Sequence, residues 1–400
     1  QAQDEAEGMH GKFRAQGSKD APACTTCHGT HTIKPRSDPT SPIAVRNIPA
    51  LCGRCHVKGE VAARLRSGAT DEVVQQYEES IHGKGLLKSG LLVTAVCTSC
   101  HTAHRPLPAS DPRSSVAPIR VADTCGKCHD GVKADLKASV HHPSNSRTKE
   151  KLPTCNDCHL SHAISRVDAG DFRRASMDRC GKCHQALTEA YFDTYHGKAS
   201  QLGTTAVAEC ADCHSSHKIL PASDPASTLS RDNIVGTCAK CHPGAHRRFA
   251  GYLNHATHKD PDKYPFLYYT FWFMTFLLLG TLAFFSLHTL LWLPRSFRLM
   301  LERRRHPHPI DEPHVQRFGK YHRVTHLLVI LSFFGLALTG MTLKFAYTGW
   351  AQVLADLLGG QESAAVIHRV CAVVTFVYFG MHLVFLWRQR RERKIGWFRM

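Results

Sequence analysis

Two cysteines separated by two residues, with a histidine directly after the second, occur eight times in this 400-residue sequence. The sets are Cys24/Cys27/His28, Cys52/Cys55/His56, Cys97/Cys100/His101, Cys125/Cys128/His129, Cys155/Cys158/His159, Cys180/Cys183/His184, Cys210/Cys213/His214 and Cys238/Cys241/His242. Sixteen of the seventeen cysteines are used in this way. In Cys-x-x-Cys-His the two thiols bond covalently to a porphyrin edge and the adjacent imidazole takes one axial position on its iron. Zinc knuckles and disulfide frameworks also pair cysteines, but neither needs a histidine after every second one. The repetition predicts eight haems c.

The spacing carries more than the count. The first, third, fifth and seventh motifs read CTTCHGTH, CTSCHTAH, CNDCHLSH and CADCHSSH, each with a histidine three residues past the first; CGRCH, CGKCH, CGKCH and CAKCH lack it. Within a pair the first cysteines lie 28, 28, 25 and 28 residues apart. A further histidine, His10, His82, His141 or His196, precedes each pair by 14, 15, 14 and 14 residues. Three of these open an HGK triplet and the fourth reads VHHP, where His142 is an alternative to His141. The chain is therefore read as four diheme units, starting near residues 8, 80, 139 and 194.

A haem iron has a second axial position. The histidines available to fill it are His10, His31, His82, His104, His141, His162, His196 and His217, two per unit, with the pairing to individual haems left open and ligation between units allowed. With both axial positions taken, no iron is open to a substrate, and the expected task is electron transfer. About 32 residues per haem is too few for an ordinary apolar core, so the porphyrins themselves are expected to fill the interior. The fold class that follows is mainly α and irregular. DEVVQQYEES, LTEAYFDTY and HRRFAGYLN read as short helices, and the recurring Asp-Pro pairs at Asp38, Asp111 and Asp224 read as turns ahead of the even motifs.

After GYLNHATHK, where His255 continues the register without a following motif, the composition changes. Residues 1–258 are assigned to the haem c domain and 259–400 to a membrane domain with spans at about 266–293, 324–343 and 365–387. The first run has 28 residues without a formal charge, enough at 1.5 Å per residue to cross a ~30 Å hydrocarbon core. Residues 294–323 carry eight Lys/Arg against three acids, and 388–400 six against one, which places both on the cytoplasmic side. These segments supply most of the formal net charge of +17, so the basic balance is a topology signal and nucleic-acid binding is excluded as its explanation. Covalent haem attachment puts the other domain in the periplasm of a bacterial inner membrane. A start at Gln1 without an apolar leader is read as a product whose export signal has been removed.

Histidines within such spans are candidate ligands, because an unpaired imidazole in hydrocarbon is costly. His368 and His382, 14 residues apart, share one helix face at two depths about 21 Å apart, which suits two haems b across the bilayer. His326 and His382 are assigned to the inner haem, with His288 in reserve and His322 one turn before His326; His368 is assigned to an outer haem. Cys371 alone in the third span is read as packing, and His306 and His308 as part of a solvated loop.

The doubled motif pattern resembles the multihaem cytochromes c of bacterial respiration. RFGKYHRVTHLLVILSFFGLALTGMTLKF with HRVCAVVTFVYFGMHLVFL resembles the membrane cytochrome b subunits of formate dehydrogenases and nickel-iron hydrogenases, in the histidine opening one helix and Leu338-Thr339-Gly340 near its far end. The combination is similar to inner-membrane cytochrome b/c proteins linked to menaquinol oxidation. That cytochrome b family completes its haem pairs with a later helix, whereas this sequence stops at Met400. The missing ligand comes from residues beyond Met400, from an additional membrane subunit, or is not needed because one haem b binds.

The resemblance implies electron flow from membrane quinol through one or two haems b to eight haems c and on to periplasmic cytochromes or other redox subunits. The chain would then be a quinol:cytochrome c oxidoreductase or an electron-transfer subunit of one. The alternatives are reverse flow, from a periplasmic dehydrogenase or hydrogenase to quinone, and a terminal reductase with one open haem. No catalytic side chain is assigned.

Overall fold

The computed structural model describes residues 1–65, 72–253, 255–305 and 318–393. It forms two compact units, one of Gln1–Gln185 with Ala208–Tyr252 and one of Ala186–Val207 with Leu253–Met400. The described residues are helical or irregular, without a strand.

All eight Cys-x-x-Cys-His motifs lie in the first unit, each as a helical turn. The odd ones are isolated five-residue turns, Cys24–His28, Cys97–His101, Cys155–His159 and Cys210–His214. An isolated turn has unpaired N–H groups at its start. Here the second intervening residue supplies the acceptor: the N–H groups of Ala23, Val96, Thr154 and Glu209 donate to side-chain oxygens of Thr26, Ser99, Asp157 and Asp212 at 3.1, 3.1, 2.6 and 2.8 Å. A hydroxyl or carboxylate is present at that position in all four for this reason. The even motifs instead close helices that start earlier, Ile48–Gly53, Val121–Gly126, Gly170–Gly181 and Ile234–Ala239. These helices carry their own first turn, and the second intervening residue is Arg54, Lys127, Lys182 or Lys240.

Past each odd motif the backbone turns sharply. Gly29, Thr102, Leu160 and Ser215 have φ of 80°, 65°, 66° and 63°. Only glycine enters that region freely, so the threonine, leucine and serine each store on the order of 1–3 kcal/mol of strain. The turn breaks the helix at the motif histidine and sends the next histidine, three residues on, away from it.

The Asp-Pro pairs open turns. Ser41, Ser114 and Ser227 donate their N–H groups to the carbonyls of Asp38, Asp111 and Asp224 at 3.0, 2.9 and 2.9 Å. Their hydroxyls, buried, donate to the carbonyls of Lys34, Leu107 and Leu220 at 3.2, 3.0 and 3.3 Å. Short helices occupy Val73–Glu79, Gln185–Asp193 and Arg247–Ala250. Apolar burial is sparse, the main cluster being Ile48, Leu86 and Val96 with Ile43, Val45 and Leu87 against it.

The second unit contains three helices long and apolar enough to cross a membrane, Pro265–Arg305, Lys320–Lys344 and Gly360–Arg393. The first has no buried residue, and its phenylalanines and leucines face outward. The second and third pack along one another through small residues. A Cβ at Gly335 would sit 2.3 Å from Cys371 Sγ, so this close approach requires glycine. Between these helices, Gly349–Leu357 buries Ala351 and Ala355 and joins Leu202, Leu343 and Ala346 in a small cluster. Residues 306–317, with His306 and His308, and residues 394–400 lie outside the described residues.

Candidate haem-binding array

Among the described residues, six motif histidines are seen with another histidine ring opposite them. His28 faces His104 at 6.1 Å between ring centroids, His101 faces His162 at 6.2 Å, and His159 faces His217 at 6.0 Å, all stacked. His56 faces His10 at 6.3 Å, His129 faces His82 at 6.3 Å, and His184 faces His141 at 6.2 Å, all tilted. Two metal–imidazole bonds of about 2 Å each, plus the ring radius on either side, amount to roughly 6 Å. The six pairs are therefore spaced for one iron between two imidazoles, and the donor chemistry fits haem. Burial lowers the pKa of His10, His56, His82, His101, His141, His159, His162 and His217, which favours the neutral, ligating form.

The pairs follow two rules. The second, fourth and sixth motifs each meet the histidine that precedes their own pair of motifs, whereas the first, third and fifth each meet the trailing histidine of the next pair. The cause lies in three equivalent backbone bonds: the N–H groups of Met9, Ile81 and Val140 donate to the carbonyls of Pro106, Ile164 and Ile219 at 2.9, 2.8 and 2.9 Å. The donor directly precedes His10, His82 or His141, and the acceptor lies two residues past His104, His162 or His217. Consecutive units are thus clasped where both kinds of second histidine emerge. His31 is exposed; its Nδ1 lies 3.1 Å from Thr30 Oγ1, and among the described residues no motif histidine ring opposes it.

The HGK triplet also has a local cause. In Ile81–Leu87 and Tyr195–Gln201 the preceding Ser80 and Thr194 hydroxyls accept from Gly83 and Gly197 N–H at 3.1 and 3.3 Å. A Cβ at Gly11, Gly83 or Gly197 would lie 2.1, 2.0 or 2.3 Å from the carbonyl oxygen of Glu5, Tyr77 or Tyr191. In the third unit His142 stands in the glycine position, no helix forms, and its Nδ1 lies 2.7 Å from Ser144 Oγ. His196 sits in the helix after its Thr194 cap, as His82 does after Ser80.

The thiols of neighbouring motifs lie within one another's electrostatic reach. Cys52 and Cys97, Cys125 and Cys155, and Cys180 and Cys210 each shift one another's pKa, an even motif acting on the next odd one. Within units, Cys27 lies in the field of Cys55, Cys100 of Cys128, Cys158 of Cys180, and Cys213 of Cys238 and Cys241. The Cys210 thiol, by hydrogen bonding, brings the Cys180 pKa down to about 7.

In five of the motifs the two cysteines differ in exposure, although the sequence reading treats them alike. Cys183 is exposed while Cys180 is half-buried, and Cys128 and Cys241 are exposed beside half-buried Cys125 and Cys238. The sixth motif shows the reason. Cys180 lies within the helix Gly170–Gly181 and carries the contact to Cys210, whereas Cys183 falls two residues past the helix end, tied back by its N–H to the Cys180 carbonyl at 3.2 Å. In the first and fifth motifs Cys24 and Cys158 are the exposed members. Cys183 and the other exposed thiols are placed to bond to a porphyrin edge.

The model of the family "Cytochrome c7 and related cytochrome c" matches residues 75–160, which span the third, fourth and fifth motifs. The "Cytochrome c-type protein NrfB" of Escherichia coli O6:H1 is 30% identical over 181 residues, covering 40% of this chain and 87% of that protein. The chain belongs to the multihaem cytochromes c. No solved structure matches it. Membership implies haem c and electron transfer for this cytochrome.

In the membrane unit of the cytochrome, the histidines are distributed unevenly. His322 and His382 both pack on Phe385, at 5.1 and 6.5 Å, and Tyr321 stacks on the same ring at 5.0 Å. His326 has no ring contact with His382 among the described residues; His288 is exposed on the first long helix. His368 is half-buried against the second helix, where its Nδ1 lies 2.8 Å from Thr339 Oγ1 and its Cε1 would lie 3.7 Å from a Cβ at Gly340. Of the assigned haem b residues, His368 has the surroundings of a ligand: one ring nitrogen is engaged by a hydroxyl and the other is left for a metal. Sequence reading gave no role to Phe385 or to the Thr339 side chain; Phe385 follows His382 by three residues on one helix, a register the sequence shows, whereas Thr339 and His368 lie on different helices.

Proposed function

We propose that the cytochrome carries electrons from membrane quinol to periplasmic acceptors, through haem b in its helical membrane unit and eight haems c in its motif-bearing unit. The cysteines of the eight motifs hold the haems, and His28, His56, His101, His129, His159, His184, His214 and His242 bind one side of each iron. His104, His10, His162, His82, His217 and His141 bind the other side at the first six motifs in sequence order. His196, on the helix Tyr195–Gln201, and His31 stay in the set of second-ligand candidates. Bound haem would supply one-electron chemistry, and at the six paired motifs the two imidazoles would deny its iron to substrates. His368, with His326 and His382, provides the haem b ligands, and the basic segments face the cytoplasm.

The observation that carries this reading is the set of six facing imidazole pairs, with ring centroids 6.0 to 6.3 Å apart, each spaced to close one iron from both sides. Irons closed to ligands in this way suit conduction. The test is to add a menaquinol analogue to membranes containing the full chain and to follow the b and c absorption bands. Reduction of b bands followed by c bands is expected. If no band is reduced while dithionite reduces all of them, quinol is not the donor and the proposal fails.

A further inference from the structure

We infer that Thr339 is a positioning residue for His368, fixing its imidazole as the Nδ1–H tautomer so that Nε2 is the nitrogen offered to a metal. This rests on the reading of His368 as a haem b ligand. Thr339 is buried, at 5% exposure, on the second long helix. Its hydroxyl lies 2.6 Å from the Gly335 carbonyl and 2.8 Å from His368 Nδ1. A hydroxyl has one proton. A carbonyl only accepts, so the proton goes to Gly335, and the bond to His368 requires that Nδ1–H donates to Oγ1. Nε2 is then left with its lone pair.

The arrangement suits a ligand inside a membrane. An N–H without a partner in hydrocarbon costs several kcal/mol, so the hydroxyl both holds the ring and settles which nitrogen is basic. Gly340, one residue on, leaves the ring edge free of a side chain at this contact. Donation from Nδ1 makes the opposite nitrogen a stronger ligand, which stabilises the oxidised iron; outer partners of this kind change metal affinity by about 10- to 100-fold.

The experiment uses the full chain purified in detergent, as T339S, T339V, T339A and H368A beside the unaltered protein. Pyridine haemochrome spectra give the b to c ratio, and potentiometric titration gives the haem b midpoint potential. T339S is expected to match the unaltered protein in both. T339V and T339A are expected to raise the midpoint potential and to lose haem b more than about 10-fold faster on dilution, with haem c content unchanged. T339A serves where the valine prevents folding. If the potential and retention in T339V and T339A equal those of the unaltered protein, Thr339 is only packing and the inference is overturned. The ligand reading fails separately, by a b to c ratio of zero in the unaltered protein or by full haem b in H368A.

Discussion

His104 faces His28 across 6.1 Å although 76 residues separate them, whereas His31, three residues from His28, faces no motif ring among the described residues. Neighbouring residues on a turn point in different directions, and the positive φ at Gly29 enforces this. The two histidines therefore differ in what their loss does. H104A is expected to leave the first haem attached through Cys24 and Cys27 but with one iron face open, giving a high-spin signal in electron paramagnetic resonance and binding of carbon monoxide. H31A is expected to give neither.

Tyr77 makes a second prediction at this scale. Its hydroxyl donates to the Ala95 carbonyl at 2.9 Å, just ahead of Cys97, and burial raises its pKa from 10.0 to about 12. A raised pKa means the neutral form is favoured in the fold, so this stabilisation is fully present below pH 10 and is lost as pH rises through about 12. Chemical denaturation should show Y77F less stable by about 1 kcal/mol at neutral pH. Between pH 10 and 12 the gap should close, because only the unaltered protein carries the ionising hydroxyl.

At the scale of the element, the short helix Ile81–Leu87 shows how a histidine is presented. Ser80 caps its start, Gly83 lets the preceding carbonyl of Tyr77 approach, and Ile81 N–H is bonded to Ile164 of the next unit. Replacing Ser80 by alanine removes one cap and is expected to cost about 1 kcal/mol. The Cβ introduced by G83A, 2.0 Å from Tyr77 oxygen, forces the backbone apart and is expected to cost about 1–3 kcal/mol. Since His82 follows the same backbone, G83A should also weaken ligation at the fourth motif, visible as a high-spin fraction absent from S80A. Equal stability and a fully low-spin spectrum in G83A would show that the close approach is not needed.

For the whole molecule, the proposed function makes the motifs links in series rather than independent sites. Removing one link should divide the rest. In C97S/C100S the third haem is lost, and haemochrome analysis should show the c content reduced by one part in eight. Rapid reduction from the membrane side is then expected to reach the haems of the five later motifs while those at Cys24 and Cys52 lag, measured by stopped-flow absorbance against the unaltered protein. Uniform reduction of the remainder would mean that electrons have a parallel route.

The mainly helical fold, the kinship with multihaem cytochromes c and the three long apolar helices were legible in the sequence, because each is written in residues close together along the chain. Cys-x-x-Cys-His occupies one helical turn, Thr26, Ser99, Asp157 and Asp212 cap that turn locally, and an apolar run of 28 residues states its own solvent. Which thiol of a motif lies at the surface, as Cys183 does, and which histidine meets which were settled elsewhere. The cross-unit bonds from Met9 to Pro106, Ile81 to Ile164 and Val140 to Ile219 join segments 79 to 97 residues apart, and they shift the trailing histidines one unit forward. The same holds in the membrane unit, where Thr339 reaches His368 only because Gly335 and Gly340 let two helices come close. Local spacing selects the kind of ligand, since it depends on the geometry of a single turn. Partnership depends on contacts between turns distant in sequence, and only the folded chain supplies those.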